Sequence, residues 1–415
     1  MVRLSDISEH DRAHLESKLL PPLGPMPWVN VEKSLSEKRI AIVTTAGLNY
    51  RNDSKFDLID ASYRAIPRTI DSSSILMSHS SVNFDRTGFQ EDINVVFPID
   101  RFKELEARGV IGSLADINYS FMGGGLLPHV YEPSARELAQ LLRADGVDAV
   151  FVIPVCPNCS RTVCGITYYL ESEGIQTVGI ALFRQIAESM QPPRILWVSF
   201  PLGRPLGKPL DSNFQVDVIE AALKLLDAQR GPVLEDYPLD IEHPEDMEPP
   251  ACPVNFARAG PVDTWRARLG KEIASLVTWY ELGLQRRGRT SVGCCEESVT
   301  EIVEKLSDWL DDAGEFPDQV WLKFALEDLK AFYSEAITAK PGEYPVGYVD
   351  RLIFHETSLG QLIAHIVDLL EVDERTRPLV RGIASRDQLQ RSTGNWAVDE
   401  AGAMISPTRS DEGKS

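Results

Sequence analysis

The sequence has no apolar run long enough to span a bilayer, and its start, Met1-Val2-Arg3-Leu4-Ser5-Asp6, is charged. Neither a membrane helix nor a secretory leader is therefore expected. Positive charge is scarce: 42 Lys and Arg stand against 62 Asp and Glu, a formal net charge of −20. That balance repels phosphate backbones, so no nucleic-acid partner is expected. Cysteine is sparse too, six in 415 residues, which excludes a disulfide framework. A cytoplasmic protein is the plain expectation. Dinucleotide and Walker A fingerprints are both missing, and no internal repeat is visible. What remains is a chain with 43% apolar and 25% charged residues, globular over most of its length.

Short apolar runs alternate with helical periodicity through the first half. Strands are expected at Arg39–Thr45, Ser74–His79, Asp92–Phe97, Val147–Val155, Gln176–Leu182 and Arg194–Phe200. Helices are expected from Ile99 to a stop at Gly109 and over 134–144, 160–172 and 214–226. Such alternation argues for an α/β fold with an open, largely parallel sheet flanked by helices. Residues 229–262 are rich in proline and acid and read as a linker. Beyond them the periodicity is helical, with candidates at Trp265–Gln285, Glu296–Ala313, Asp318–Ala339 and Gly347–Leu370. The expected division is an α/β domain at 1–235, a linker at 236–261, a helical domain at 262–396 and a disordered tail at 397–415. Residues 1–235, with a complete alternation of their own, are expected to fold alone.

The run Val152-Ile153-Pro154-Val155-Cys156-Pro157-Asn158-Cys159-Ser160-Arg161-Thr162-Val163-Cys164 carries the most chemistry. Cys156 ends a buried strand and precedes a helix, where open α/β sheets bind ligands. Unpaired N–H groups and the dipole at the helix start favour a thiolate, and Arg161 adds positive charge, so a lowered Cys156 pKa is expected. The Cys-x-x-Cys spacing permits a cycle in which Cys156 attacks and Cys159 resolves the adduct as a disulfide. Cys164 is either a second resolving thiol or a buried small residue. The pair could equally be half of a zinc site, but no second half with matching spacing is visible, and no metal is expected.

Other candidates are weaker. His79 is either a general acid or a hydrogen-bonded structural histidine. Asp92, Asp100 and Arg101 flank one expected strand; Asp100 suits a helix cap, and Arg101 either binds a carboxylate or lies exposed. Gly123, in Gly123-Gly124-Gly125, permits close backbone approach or makes a hinge. Cys294-Cys295 is redox-active, binds a soft metal, or is incidental. His355, Glu356 and His365 fall on one expected helix, with the histidines too far apart to share a metal. Trp309, Trp321, Phe324 and Phe332 recur at helical spacing and suit a core.

Several ordered stretches together resemble the selenoprotein B family of glycine/sarcosine/betaine/D-proline reductases. They are Leu76–Ser80, Asp92–Arg101, Gly112–Ala115, Tyr119–Gly123, Asp145–Cys159 and Phe200–Gly207. Cys156 stands where that family carries its reactive selenocysteine or cysteine. The resemblance covers 1–235 and not the helical half. It implies an oxidoreductase in which Cys156 is the nucleophile, Cys159 the resolving thiol and His79 a catalytic partner, cleaving a C–N or other carbon–heteroatom bond of a small amine or amino-acid-like substrate. Arg101, Asp92, Tyr119, Gly123 and Arg161 are the expected substrate contacts. It also implies a partner subunit bearing a pyruvoyl group, for which this chain shows no generating segment, and a thioredoxin-like reductant. Two other readings stand beside it: a cofactor-free racemase or lyase using Cys156 for proton transfer, and a non-enzymatic redox or partner-binding module.

Overall fold

Ile40, Ala41, Ile42 and Val43 are apolar at consecutive positions, so both faces of the strand they form must be covered. In the computed structural model, which describes residues 16, 19–241, 256, 264–312, 315–385, 388–389, 397–398 and 404–405, that strand is central. It is β1 (Arg39–Thr44), followed by β2 (Leu48–Tyr50), β3 (Tyr63–Pro67), β4 (Ile75–Met77), β5 (Ser113–Leu114), β6 (Ile117–Phe121), β7 (Ala149–Ile153), β8 (Gln176–Ala181), β9 (Arg194–Trp197) and β10 (Val233–Asp236). The main sheet runs β10-β9-β8-β7-β1-β6-β3, with β5 also on β1. Its pairings are parallel except β3 on β6, so the expected α/β class holds with one antiparallel edge. β2 and β4 form a separate antiparallel pair.

Helices in the same half are α1 (Thr87–Glu91), α2 (Ile99–Ala107), α3 (Glu132–Ala144), α4 (Pro157–Ser172), α5 (Arg184–Met190) and α6 (Ser212–Lys224). Ile40, Ile42 and Phe151 share one core with Phe102 of α2 and Ile219 of α6. Ala41, Val43 and Val150 pack on the other face with Leu138 of α3 and Ile166 of α4. The far end of α4 is pinned by Glu171, fully buried 2.6 Å from Arg194 of β9. Burial pushes the Glu171 carboxyl up to about 7 against the pull of Arg194. Losing one partner of so buried a pair costs about 3–5 kcal/mol, and it keeps the start of α4 in register with the sheet.

Four expectations are corrected. Asp92–Phe97 is not a strand: the Asp92 carboxylate accepts the Asn94 N–H (2.9 Å) and closes a 3-10 turn at Ile93–Val95. Local capping beats the apolar run there. Asp100 does not cap α2, whose N-cap is Pro98; it sits in the first turn, bonded to Asn94. The stretch read as linker contributes β10, parallel to β9, and Tyr237 and Ile241 pack into the α/β core. Most of 236–261 and of the tail at 397–415 lies outside the described residues.

The fourth correction concerns the helical half, built from α7 (Trp265–Arg287), α8 (Val299–Leu310), α9 (Gln319–Thr338), α10 (Tyr348–Glu356), α11 (Ser358–Val372) and α12 (Val380–Ile383). The helix expected at Gly347–Leu370 breaks at Thr357, which is extended and whose hydroxyl accepts the Gly360 N–H at 3.0 Å. His355 and His365 thus lie on different helices, and His365 stacks on Trp265. Phe324 and Phe332 are buried in the helical core, with Trp309 and Trp321 packed against it. Among the described residues, no helix is long and apolar enough to cross a membrane.

The two halves meet along residues 76–91. Leu76 belongs to the helical core. Arg51 donates to the carbonyls of Thr290 (2.6 Å) and Val292 (2.5 Å), Ser334 to Gln90 (2.7 Å), and Arg86 pairs with Glu327 (3.0 Å). Arg289 is buried there, its guanidinium over the Phe89 ring.

Candidate active site at the carboxyl ends of the central strands

β6, β1 and β7 are neighbours, and the chain leaves β1 to build strands on both sides of it. Ligands bind at such switch points, beyond the carboxyl ends of the strands. The residues found there are Thr45 after β1, Gly123 after β6 and Cys156 after β7. Cys156 is the N-cap of α4, which begins at Pro157, three residues earlier than the periodicity suggests. Its sulfur accepts the Cys159 N–H at 3.3 Å. Pro157 lacks an N–H and suits the first helical position, so the sequence starts the helix where the thiol caps it.

His79 joins them from the turn after β4. Its Nε2 lies 3.4 Å from the Cys159 sulfur, and the ligand atoms of His79, Cys156 and Cys159 are within 4.8 Å of one another. The Ser81 N–H donates to His79 Nδ1 at 3.0 Å, which makes Nδ1 an acceptor and leaves the ring proton on Nε2, facing the sulfur. Burial would raise the Cys159 thiol. Hydrogen bonding to Cys156, the electrostatic pull and hydrogen bond of the His79 Nε2–H, and a contact with Thr45 more than offset it, so the thiol is held well below its usual range. The neighbour of the expected nucleophile, Cys159, thus carries a lowered pKa.

The same geometry bears on metal binding. Two thiols and an imidazole make a soft three-ligand set. A metal on Nε2 would require the ring proton on Nδ1, where it would face the Ser81 N–H, donor against donor. Metal-bound histidines normally offer that second nitrogen to an acceptor. As the hydrogen bonds stand, His79 offers the sulfur an N–H and not a lone pair.

The remaining candidates separate. Gly123 belongs to the site for a steric reason: a Cβ there would lie 2.8 Å from the Cys159 sulfur and 2.8 Å from Thr45 Cβ. The close approach is to the thiol. Arg161 is buried in the field of Cys156 and Tyr131, and it donates to Asn158 at 3.3 Å. Asp92 is saturated by protein donors, from Asn94, Leu210 and Gln215. Arg101 pairs with Glu104 and reaches Gln215. Tyr119 packs edge-on against Tyr63, in the field of Asp145, which is paired with Arg39 at the opposite end of β1. The structure brings Gly123 and Arg161 to the thiols, and engages Asp92, Arg101 and Tyr119 elsewhere. Burial raises the Cys164 thiol to about 12 and pushes Cys294 and Cys295 up as well, Cys295 to about 12, so these three are poor nucleophiles.

Sequence reasoning missed Thr45, Tyr131 and the loop that covers the site. Tyr131 is buried, its hydroxyl donating to the Met122 carbonyl at 2.7 Å. In the covering loop, the Gly203 N–H bonds the carbonyl of Val155 (2.8 Å), and Arg204 pairs with Asp85 (2.9 Å). Gly203 has φ +95°, and a Cβ there would lie 1.9 Å from the Asp85 carbonyl oxygen, so only glycine fits. The Phe200–Gly207 stretch had the signal, two glycines around an arginine, but not the target.

Residues 20–154 match the family described as glycine/sarcosine/betaine reductase selenoprotein B, a match that stops two residues short of Cys156. The chain is 33% identical over 215 residues to D-proline reductase subunit gamma of Acetoanaerobium sticklandii, covering 51% of this chain and 88% of that one. It is 31% identical over 206 residues to glycine reductase complex component B subunit gamma of Peptoclostridium litorale, covering 47% of each. It is 28% identical over 220 residues to sarcosine reductase complex component B subunit beta of Peptoclostridium acidaminophilum, covering 51% and 50%. The chain spans about half the length of these last two relatives. No solved structure matches it. The chain belongs to the selenoprotein B family of glycine/sarcosine/betaine/D-proline reductases.

Proposed function

We propose that the chain is the thiol component of a reductase that cleaves a C–N bond of a small amine or amino-acid-like substrate. The observation that carries this reading is the buried pair itself: Cys156 capping α4 at a strand end, with Cys159 one turn on and held low by His79 Nε2 at 3.4 Å. Cys156 attacks the carbon, a C–S bond forms, the C–N bond breaks, and the nitrogen leaves with a thiol proton. The Cys159 thiolate then attacks the Cys156 sulfur. An S–S bond forms, and the carbon departs with its electron pair and takes up a proton. Two electrons pass from the thiols to the substrate, and an external dithiol of the thioredoxin type restores the pair. His79 keeps Cys159 as the thiolate that the second step consumes.

The family's relatives are named as subunits of reductase complexes, and we propose a partner subunit here too. A pyruvoyl group on that partner, which would weaken the C–N bond, is what the family resemblance implies, and it belongs to the partner's chemistry.

The test counts thiols in the isolated complex before and after one turnover with D-proline, glycine, sarcosine or betaine. Two thiols should disappear per product, with a 156–159 disulfide in the peptide map. Cys156→Ser should abolish turnover, while Cys164→Ser keeps most of it. Product formed with the thiol count unchanged sinks the redox cycle and favours proton transfer by Cys156. Equal loss in both folded variants would misplace the nucleophile.

A further inference from the structure

The helical half lies outside the part of the chain that aligns with the D-proline reductase subunit, since 51% of this chain already matches 88% of that relative. Its contact with the thiol site is specific. Glu327 of α9 is buried and lies 3.0 Å from Arg86 Nη1. Arg86 Nη2 donates to the carbonyls of His79 (3.1 Å) and Ser81 (3.0 Å). The Ser81 N–H donates to His79 Nδ1 (3.0 Å), and His79 Nε2 meets the Cys159 sulfur (3.4 Å). An unbroken series of polar contacts thus runs from the helical half to the thiol.

We propose that Arg86 and Glu327 are positioning residues of the thiol pair: through them the helical half holds the turn that fixes the His79 ring against Cys159. The inference rests on the thiol reading above and gives the helical half a role in it. Each contact constrains one degree of freedom. Arg86 Nη2 ties two carbonyls two residues apart, which closes the 79–81 turn, while Nη1, the other arm of the fork, holds Glu327. The closed turn aims the Ser81 N–H at Nδ1, and that sets the tautomer. Phe84 completes the seat, its ring edge-on to His79 at 5.2 Å.

Charge around the anchor is arranged to keep it ionised. Glu327 faces Arg86, Lys323 and Lys330, while Asp328 and Asp350 line the same small cavity of about 40 Å³ at the seam. Burial opposes ionisation of Glu327, but those three cations hold its carboxyl far below the usual range. Asp328 is occupied by the N–H groups of Gly293, Cys294 and Cys295, and Asp350 by the Gln388 amide. Facing His79 itself are the two thiols and Arg86.

The test uses the full chain without substrate, so it is independent of the turnover experiment: a failed cycle leaves it readable, and its failure leaves the cycle standing. Site-resolved cysteine Cβ shifts followed against pH give the Cys159 titration. In Glu327→Gln the midpoint should rise by about one pH unit, a roughly tenfold shift in the thiolate-to-thiol ratio at any fixed pH. Arg86→Lys, which keeps the charge but loses the fork, should move it the same way. Ser334→Ala, at the same seam but outside the series, should not move it. Folded Glu327→Gln and Arg86→Lys chains with the wild-type midpoint overturn the proposal. If neither variant folds, the His79 ring nitrogen shifts of the wild-type chain decide. A proton on Nε2 supports the proposal; a proton on Nδ1 overturns it.

Discussion

Cys159 is where burial and hydrogen bonding pull in opposite directions, and hydrogen bonding wins. An unfolded cysteine titrates at about 8.5, so between the lowered folded value and about 8.5 the folded chain carries one proton fewer. Stability should therefore rise with pH across that window and be lost as pH falls through the folded value. His79→Ala removes the Nε2–H that faces the sulfur. Its Cys159 should titrate near or above the ordinary thiol range, and the pH-dependent gain in stability below about 8.5 should vanish. Urea melts of both proteins at several pH values check this; parallel stability–pH curves would remove His79 from the account. Cys156, Cys159 and Arg161 could be read from the sequence because they share one turn of helix. The contact of His79 with Cys159 could not, since 80 residues separate them and only the fold joins β4 to α4. Asp92, Arg101 and Tyr119 stand in family-like stretches for structural reasons: a turn cap, a helix pair and a ring contact.

At the scale of elements, the start of α4 works because three loops close on it, after β1, after β6 and at 199–207. The loop after β6 is the tightest. Gly123 donates its N–H to the Thr45 carbonyl (2.9 Å), and its own carbonyl accepts the Thr162 hydroxyl (3.0 Å). In Gly123→Ala the new methyl must displace the Cys159 sulfur or Thr45. Overpacking of this kind costs about 1–3 kcal/mol, and it should lengthen the contact with His79 and lower the neutral-pH thiolate. Thermal melts with the thiol titration test it; a stable chain with an unchanged titration would mean the loop can yield without moving the sulfur. Periodicity located β1, β4, β7, β8 and β9 and four of the six helices of the α/β half, and passed over the short strands β2, β3, β5 and β6. It failed where a side chain outbids the backbone pattern, as Asp92 does at its turn and Thr357 does between α10 and α11. It also missed β10, which is short, half-exposed and set among prolines.

Taken whole, the molecule is two halves joined along the segment that carries His79. The change from strand-and-helix alternation to helical periodicity is visible in the sequence. The seam is not, because it is built from single polar side chains, Arg51, Arg86, Arg289, Glu327 and Ser334, that look like ordinary surface residues in sequence. One feature of the site sets a limit on how fast it can react. Both sulfurs of the pair have no exposed surface, so any reagent, substrate or reductant must wait for the chain to open. Alkylation of Cys156 and Cys159 by iodoacetamide should rise with reagent concentration only at first and then level off at the opening rate. That ceiling should be the same for reagents of different intrinsic reactivity. A rate that climbs in proportion to concentration without a plateau would show that the sulfurs are reached through the closed chain. The plateau, once measured, is the clock of the site: no turnover can outrun it unless a docked partner holds the door open.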